Sequence, residues 1–342
     1  MPLSSILSFG RYIPSKRITT EEIAMHWNRD PQEIIGGLGV KEKAIAGANE
    51  DSFTLAFEAG TQAIALSGIP SSQISASFVG SESHPYAVKP TSGMIASALA
   101  LHPFSFSADL EFACKAGTAG MQIIDAFVRS GQVHYGLAIG TDKAQSKPGD
   151  ALEYTAAAGA AAFIIGPEDD PKALARIEAT LSFTTDTPDF WRAAEEPYPE
   201  HAGRFTGEPG YFLHVREAFN GILALTKAKL EDVDHVVLHM PNAKFPQKIA
   251  KEFGITKEQM ELGFIVPTIG NTYSACSPLG LTFVLEKAKK GQKILLISYG
   301  SGAGSDAFLL TMQRDGKPLP PDTRPLQYLT YGEYRQGYET NG

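Results

Sequence analysis

The stretch Glu111-Phe-Ala-Cys-Lys-Ala-Gly-Thr-Ala-Gly120 decides the fold. An apolar run ends at its cysteine, and a segment of small residues begins there. Residues 114–129 carry apolar side chains on most faces, which predicts a buried helix. Gly131 ends this helix, and residues 135–140 form an apolar run of strand length. Helix and strand segments in alternation predict an α/β protein.

The same order of elements recurs further along the chain. Gly131 and Gly291 are 160 positions apart, as are Gly140 and Gly300, and this offset carries Cys114 onto Ser274. The predicted elements outside the first unit are a strand at 74–80, a strand at 235–239, a helix at 277–290 and a strand at 293–300. A fold made of two related βα halves leaves such a repeat in the sequence.

Composition divides the chain into three parts. We expect one half at residues 1–167 and the other at 168–314, with the break in the polar Gly-Pro turn at 166–172. Residues 315–342 form a tail rich in proline, with tyrosines at 328, 331, 334 and 338. Because tyrosine combines a large apolar ring with a polar end, this tail is either a strap over the body or a docking segment.

Bulk properties exclude several classes of protein. The 342 residues carry 30 basic and 38 acidic side chains, a net charge of −8, which argues against a nucleic-acid binder. No apolar run reaches the roughly 18 residues of a membrane span, and the N-terminus lacks the pattern of a signal peptide. The two cysteines are too few for a disulfide scaffold and lack metal-ligand spacing, so we expect a cytoplasmic protein.

Cys114 is the first candidate for chemistry. Its position predicts a thiol at the N-terminus of a buried helix, where the helix dipole and free N–H groups stabilise a thiolate. We therefore expect a lowered pKa and a nucleophile. The alternative is an inert cysteine of the core.

Further candidates lie at strand ends, where ligand sites form in α/β sheets. Glu82 follows the strand at 74–80 and could serve as a general base if burial raises its pKa; otherwise it is a solvated loop residue. His239 ends the strand at 235–239 and either enters a site or belongs to the core. Lys244 and Lys248 share one helical face, which suits either a phosphate or solvent.

Eight motifs occur in an order that resembles one family. They are GSESHPY (80–86), ADLEFACKAGTAG (108–120), GDALEYTAAA (149–158), TTDTPDFW (184–191), RFTGEP (204–209), HMPNAKFP (239–246), GNTYS (270–274) and SYGSGAGSD (298–306). Together they resemble the 3-hydroxy-3-methylglutaryl-CoA synthases in their short archaeal form, over nearly the whole chain. The resemblance implies a thiolase-like fold with two related βα halves, packed in layers as α/β/α/β/α.

The resemblance also implies residue roles. Cys114 matches the acylated cysteine, Glu82 the general base, and His239 the histidine that holds the acceptor substrate. Positions that match contacts to CoA or its thioester are Asp30, Thr155, Thr206, Lys244, Lys248, Asn271 and Ser301. We expect Cys276 to be structural. The family uses CoA thioesters as substrates and needs neither a metal nor another cofactor.

The implied reaction condenses acetyl-CoA, through an acetyl thioester on Cys114, with acetoacetyl-CoA and water, in the mevalonate pathway. We expect backbone N–H groups of Cys114 and of the Ser301-Gly302 loop to stabilise the oxyanion. Three alternatives remain: a β-ketoacyl-carrier-protein synthase III, a carrier-protein-dependent synthase of the same product, and a structural subunit of a thiolase-containing complex. The resemblance further implies a homodimer, and association with an acetoacetyl-CoA thiolase and an OB-fold companion protein.

Overall fold

The structure is a computed structural model that describes residues 2–339. The strands are β1 Ser4–Tyr12, β2 Lys16–Thr19, β3 Glu42–Ile45, β4 Ile74–Gly80, β5 Phe106–Leu110, β6 Tyr135–Lys143, β7 Ala158–Pro167, β8 Ala175–Thr184, β9 Phe190–Trp191, β10 Glu200–His201, β11 His235–Leu238, β12 Lys293–Ile297, β13 Gly304–Met312 and β14 Gln327–Tyr328. The helices are α1 Thr20–His26, α2 Pro31–Leu38, α3 Ser52–Ser67, α4 Thr91–Ala98, α5 Ala116–Arg129, α6 Gly203–Phe205, α7 Phe212–Thr226, α8 Lys244–Phe253, α9 Lys257–Met260, α10 Val266–Ile269, α11 Cys276–Lys287 and α12 Tyr331–Glu339.

The main sheet joins both halves of the chain. It has nine strands in the order β11-β12-β13-β8-β1-β7-β6-β4-β5. The pairs β11–β12, β6–β4 and β4–β5 are parallel, and the others are antiparallel. The three apolar strands β4, β6 and β7 are almost wholly buried, as strands covered on both faces are.

Helices cover the sheet in three layers. Helix α3 packs on β1, β6 and β7 at one outer surface, and α7 packs on β8 and β13 at the other. Helices α5 and α11 lie between the halves, and their apolar residues join strands of both halves in one core cluster. The predicted layered α/β arrangement is therefore confirmed.

The two halves repeat in backbone geometry as well as in sequence. Ala113 and Tyr273, which are 160 positions apart, both adopt the left-handed region, with φ of 43° and 46°. Each of these two residues begins a short 3-10 turn, at Ala113–Lys115 and Tyr273–Ala275. Helix α5 begins directly after the first turn and α11 directly after the second. Cys114 and Ser274 therefore occupy equivalent places, as the offset in the sequence predicts.

The predicted elements are present with shifted ends. The helix expected at 114–129 begins at Ala116, because the 3-10 turn takes up the cysteine. The helix expected at 277–290 ends at Lys287, and the strand expected at 293–300 ends at Ile297, where the loop of small residues begins. The boundary between residues 167 and 168 stays a prediction. In the structure β7 ends at Pro167 and β8 begins at Ala175.

The described part of the tail lies on the body of the protein. Strand β14 pairs with β2, and the ring of Tyr331 stacks on His26 with 3.6 Å between ring centroids. Tyr331 donates its hydroxyl to Oε1 of the buried Glu153 at 2.9 Å, and Lys43 Nζ donates to the hydroxyl of Tyr334 at 3.2 Å. These contacts make the tail a strap. Residues 340–342 and the side chain of Tyr338 lie outside the described residues.

No helix within residues 2–339 is long and apolar enough to cross a membrane. Over the same residues no group of three or more His, Cys, Asp or Glu side chains is arranged to hold a metal ion.

We predict that Tyr334→Ala destabilises the fold, because Tyr334 is only 1% exposed. Loss of a buried aromatic ring costs about 3 kcal/mol in the free energy of unfolding, measured by urea denaturation. Tyr328→Ala is the matched control in the same tail, since Tyr328 is 57% exposed. Equal effects of the two substitutions would contradict the strap.

Candidate active site

The loop that carries Glu82 is fixed by the buried carboxylate of Asp142. Its Oδ1 accepts hydrogen bonds from the backbone N–H of Glu82 at 2.8 Å and from the hydroxyls of Ser81 and Ser83 at 2.8 and 2.7 Å. Its Oδ2 accepts the backbone N–H of Ser274 at 2.7 Å. Asp142 therefore ties the end of β6 to the loop after β4 and to the turn before α11.

Ser274 connects the two halves beside the nucleophile. Its hydroxyl donates to the carbonyl of Gly80 at 2.8 Å and accepts the backbone N–H of Gly117 at 3.0 Å. A Cβ on Gly117 would approach the Ser274 carbonyl to 2.7 Å, so only glycine fits there. The start of α5 is thus held against the start of α11, and Cys114 lies in the turn at this contact.

A buried ion pair stands behind the nucleophile. Lys115 Nζ lies 2.9 Å from Oδ1 of Asp306, and both side chains are almost fully buried. The hydroxyl of Thr118 donates to the other carboxylate oxygen at 2.8 Å, and that of Ser182 donates to Oδ1 at 2.7 Å. Strand β13 therefore anchors the residue that follows Cys114.

Cys114 and Glu82 interact inside this buried site. Burial and the charge of Asp142 raise the pKa of Glu82 to about 8. A hydrogen bond with the Cys114 thiol acts in the opposite direction and lowers this pKa, but its effect is smaller. Burial and the charge of Glu82 raise the pKa of Cys114 well above its ordinary value. Our expectation of a lowered thiol pKa is therefore wrong. Desolvation and two neighbouring carboxylates outweigh the helix N-terminus.

His239 has a fixed backbone and an unused ring nitrogen. Its backbone N–H donates to the carbonyl of Ile297 at 2.9 Å, and its backbone carbonyl accepts the hydroxyl of Tyr211 at 2.7 Å. Burial lowers the pKa of His239 to about 3, so the ring is neutral at pH 7. Its Nδ1 is buried and has no hydrogen-bond partner among the described residues.

A cleft of about 640 Å³ opens beside the loop of Glu82 and the turn of Cys114. Its walls include Glu82, His84, Glu111, Arg192, Tyr273 and Ser301. Ser301 lies in the wall of this cleft, and its expected contact with the CoA thioester stays a prediction. Within the Ser301-Gly302 loop, the N–H of Gly302 donates to Oδ1 of the buried Asp189 at 2.8 Å. The oxyanion donor that we expect in this loop stays a prediction.

Two of the expected CoA positions meet beside the cleft. The backbone N–H of Asn271 donates to the carbonyl of Thr155 at 2.7 Å, and both residues are buried. The Oδ1 of Asn271 accepts the N–H of Tyr273 at 3.0 Å.

The other expected CoA positions lie further out. Lys244 and Lys248 are exposed on α8, as the i, i+4 spacing predicts, and Lys248 Nζ lies 4.1 Å from the ring centroid of Phe212. Thr206 begins the π-helical turn that leads into Phe212, and its Oγ1 is buried without a hydrogen-bond partner among residues 2–339. Asp30 is exposed and caps the N-terminus of α2. At the other end of this helix, the carbonyl of Leu38 accepts the backbone N–H of Ala243, which precedes α8.

Sequence reasoning missed the residues that hold this site together. Asp142, Lys115 and Asp189 make most of the buried contacts, yet we assigned them no role. A signal existed for Asp142, because it follows Gly140 at the end of a predicted strand. Lys115 gave no signal, since its partner Asp306 is 191 positions away.

Known protein families and solved structures match this chain in sequence and in fold. The family model of 3-oxoacyl-(acyl-carrier-protein) synthase III matches residues 108–182, and that of its C-terminal part matches residues 223–312. A crystal structure of HMG-CoA synthase complexed with CoA superposes with a TM-score of 0.84 at 23% identity, covering 98% of this chain and 90% of the other. The fold and the site define a condensing enzyme of the thiolase superfamily.

Sequence relatives identify the family within that class. The hydroxymethylglutaryl-CoA synthase of Archaeoglobus fulgidus is 55% identical over 89% of this chain and 88% of its own length. That of Methanocaldococcus jannaschii is 51% identical over 97% of this chain and 96% of its own length. The chain belongs to the hydroxymethylglutaryl-CoA synthase family.

We predict that removing one partner of the Lys115–Asp306 ion pair destabilises the fold, and that removing the second charge as well restores part of the stability. Lys115→Met leaves the Asp306 charge buried and unpaired, which costs about 3–5 kcal/mol in the free energy of unfolding. Adding Asp306→Asn to Lys115→Met should recover part of that loss, as urea denaturation would show. A double variant that loses the sum of both single losses would contradict the pairing.

Proposed function

We propose that the protein condenses acetyl-CoA with acetoacetyl-CoA and water to give 3-hydroxy-3-methylglutaryl-CoA and CoA, a reaction of the mevalonate pathway. The observation that carries the proposal is the buried contact between the Cys114 thiol and the Glu82 carboxyl at the start of α5. A nucleophile and a base in one desolvated site suit acylation followed by removal of a proton from carbon.

The first step transfers the acetyl group to Cys114. The sulfur attacks the thioester carbonyl, the carbon–sulfur bond to CoA breaks, and the proton lost by the Cys114 thiol is regained by the departing CoA thiol. In the resting site the thiol form is stabilised, because burial and the nearby carboxylates oppose a thiolate. Transfer to sulfur then leaves a neutral thioester, which this low-dielectric site accommodates better than a thiolate.

The second step forms the carbon–carbon bond. Glu82 removes a proton from the acetyl methyl, and the resulting carbanion attacks the ketone carbon of acetoacetyl-CoA. The alkoxide that forms takes up a proton, so the proton lost from carbon is regained on oxygen. A pKa of about 8 makes Glu82 a stronger base than an ordinary carboxylate. His239 stabilises the developing oxyanion as a neutral hydrogen-bond donor, because burial keeps its pKa at about 3.

The last step is hydrolysis of the thioester on Cys114. Water adds to the carbonyl carbon, the carbon–sulfur bond breaks, and the thiol regains a proton. The product leaves with a free carboxylate at the carbon that sulfur held. Asp142 and Ser274 hold Glu82 and the start of α5 at a fixed relative position through all three steps.

The alternatives fit the site less well. Synthase III enzymes generate their carbanion by decarboxylation and need no carboxylate base, whereas here Glu82 is held beside the nucleophile by its own hydrogen-bonded loop. A purely structural subunit would have no use for a buried, high-pKa carboxyl next to a thiol.

The test of the proposal is incubation with acetyl-CoA and acetoacetyl-CoA, followed by identification of the product by mass spectrometry. Acetyl-CoA alone should add one acetyl group to the peptide that contains Cys114. Cys114→Ser should abolish the adduct and the product while the circular dichroism spectrum is unchanged. Normal turnover by that variant would refute the assignment of the nucleophile.

We predict that Glu82→Gln acetylates Cys114 but does not condense. Loss of a general base costs about 10²–10⁴-fold in rate, and only the second step needs this base. Rapid-quench measurement of each half-reaction separates the two. Equal losses in both steps would contradict the separate roles.

The raised pKa of Glu82 also predicts two pH effects. The carboxylate form grows as pH passes through about 8, so the condensation rate should rise there in the wild type. The folded state holds the Glu82 proton more tightly than the unfolded state, whose pKa is near 4.5. Stability from this group is therefore complete below that pH and is lost as pH rises towards about 8. Glu82→Gln should remove this dependence from unfolding curves.

We predict that Lys244→Ala and Lys248→Ala raise KM for both CoA substrates more than they lower kcat. Contacts to the nucleotide lie far from the reacting carbon, so they stabilise ground and transition states alike. Lys251→Ala on the same helix is the matched control, since Lys251 is exposed but is no match to a CoA position. Unchanged KM values would mark the two lysines as surface residues.

The assembly of the protein is also a proposal. Strand β5 lies at an open edge of the main sheet. Phe104, just before the strand, is 88% exposed, and Phe106, its first residue, is 56% exposed. An exposed apolar edge strand is a site for pairing with another chain, so it supports a homodimer. Phe106→Lys should shift the mass measured by light scattering to that of a monomer.

We further propose that the protein associates with an acetoacetyl-CoA thiolase and an OB-fold companion, which would supply the second substrate without release. The strap leaves Tyr328 exposed as a candidate contact. Co-purification of the thiolase with wild type and with Tyr328→Ala tests that contact. Equal recovery would place the contact elsewhere.

A further inference from the structure

Arg192 stands in the wall of the cleft that Glu82 also lines. Its side chain is exposed, and within residues 2–339 it makes neither a hydrogen bond to another side chain nor a salt bridge. The positive charge of Arg192 nevertheless acts on Glu82 and lowers the pKa of that carboxyl. A cation of the site is therefore left available for a ligand.

The segment that carries Arg192 is anchored. Oδ1 of Asp189 accepts the hydroxyl of Thr187 at 2.7 Å, and Oδ2 accepts the hydroxyl of Tyr299 at 2.7 Å. The ring of Phe190 meets that of Tyr273 edge to face, with 6.2 Å between centroids. Arg192 thus follows residues that are fixed to the loops of the active site, so its guanidinium is held near the cleft.

The charges around the nucleophile are otherwise negative or paired. Glu82 and Asp142 are carboxyl groups next to Cys114, and both raise the pKa of its thiol. Lys115 follows the nucleophile but is neutralised by Asp306. A further anion formed at Cys114 would meet two carboxyl groups and, in the wall of the cleft, the carboxyl group of Glu111 and the unpaired guanidinium of Arg192.

The proposed reaction forms such an anion. Hydrolysis adds the oxygen of water to the acyl carbon, breaks the bond to Cys114, and returns one proton to sulfur and releases another. The acyl group of the bound intermediate is neutral at this carbon, and the product is a carboxylate. We propose that Arg192 is the product-recognition residue that binds this new carboxylate; the inference rests on the proposed function.

Arginine suits this task. Its guanidinium presents two parallel N–H donors that match both oxygens of a carboxylate, and it stays charged at every working pH. Neither acetyl-CoA nor acetoacetyl-CoA has a carboxylate in its acyl group. Arg192 should therefore distinguish the product from both substrates without contributing to their binding.

The experiment compares two ligands that differ only in this group. In a Cys114→Ala background, which prevents turnover, calorimetry measures binding of 3-hydroxy-3-methylglutaryl-CoA and of 3-hydroxy-3-methylbutyryl-CoA, which lacks the carboxylate. Arg192→Gln should weaken binding of the first by about 10-fold to 100-fold, the value of a charged hydrogen-bond pair, and leave the second unchanged. Arg192→Lys should retain part of the preference.

Arg204→Gln is the matched control. It removes the same charge from an exposed arginine that stacks on Phe205 and is not part of the cleft wall. Its ratio of affinities should equal that of the background protein. If Arg192→Gln keeps that ratio, or weakens both ligands equally, the inference is overturned. Failure of the wild type to make the product would instead overturn the proposed function, independently of the affinity ratio.

Discussion

The carboxylate of Asp142 is the constraint on which the site depends. It is buried at the end of β6 and accepts four hydrogen bonds, from Ser81, Glu82, Ser83 and Ser274. These donors come from two loops that are distant in sequence, so one side chain sets their relative position. The same charge contributes to the raised pKa of Glu82, which joins architecture and reactivity in a single group.

Burial shifts the pKa values of the two proposed proton-handling groups in opposite directions. Glu82 has a pKa of about 8 and His239 of about 3, so each favours its uncharged form near neutral pH. With Glu82 and His239 uncharged, the resting site suits the neutral thioester groups that enter a desolvated cleft. Charge then develops on the reacting groups as the reaction proceeds, where donors fixed in advance stabilise it without reorganisation.

Local patterns in the sequence were sufficient to predict an α/β protein, and the family resemblance implied the thiolase-like fold. The buried helix after Cys114 is such a local pattern, the repeat at 160 positions compares two of them, and the structure retains both. Contacts between residues that are distant in the sequence could not be predicted from local patterns. The Lys115–Asp306 ion pair and the donation from Gly302 to Asp189 exist only once distant loops meet. The thiol pKa was mispredicted for the same reason: the helix is visible in the sequence, and the surrounding carboxylates are not.

The strap sets an order on the folding of newly made chains. Glu153 lies in the loop that ends at Thr155, and Oε1 of its carboxylate is bound by Tyr331, which is translated 178 residues later. Until Tyr331 has emerged from the ribosome this oxygen lacks that donor, although Oε2 can already accept Trp27 Nε1 and the N–H of Gly149. Domains generally fold from the N-terminus during synthesis. Here the first half can form its sheet early, but the loop beside Asn271 is completed only after the strap has emerged.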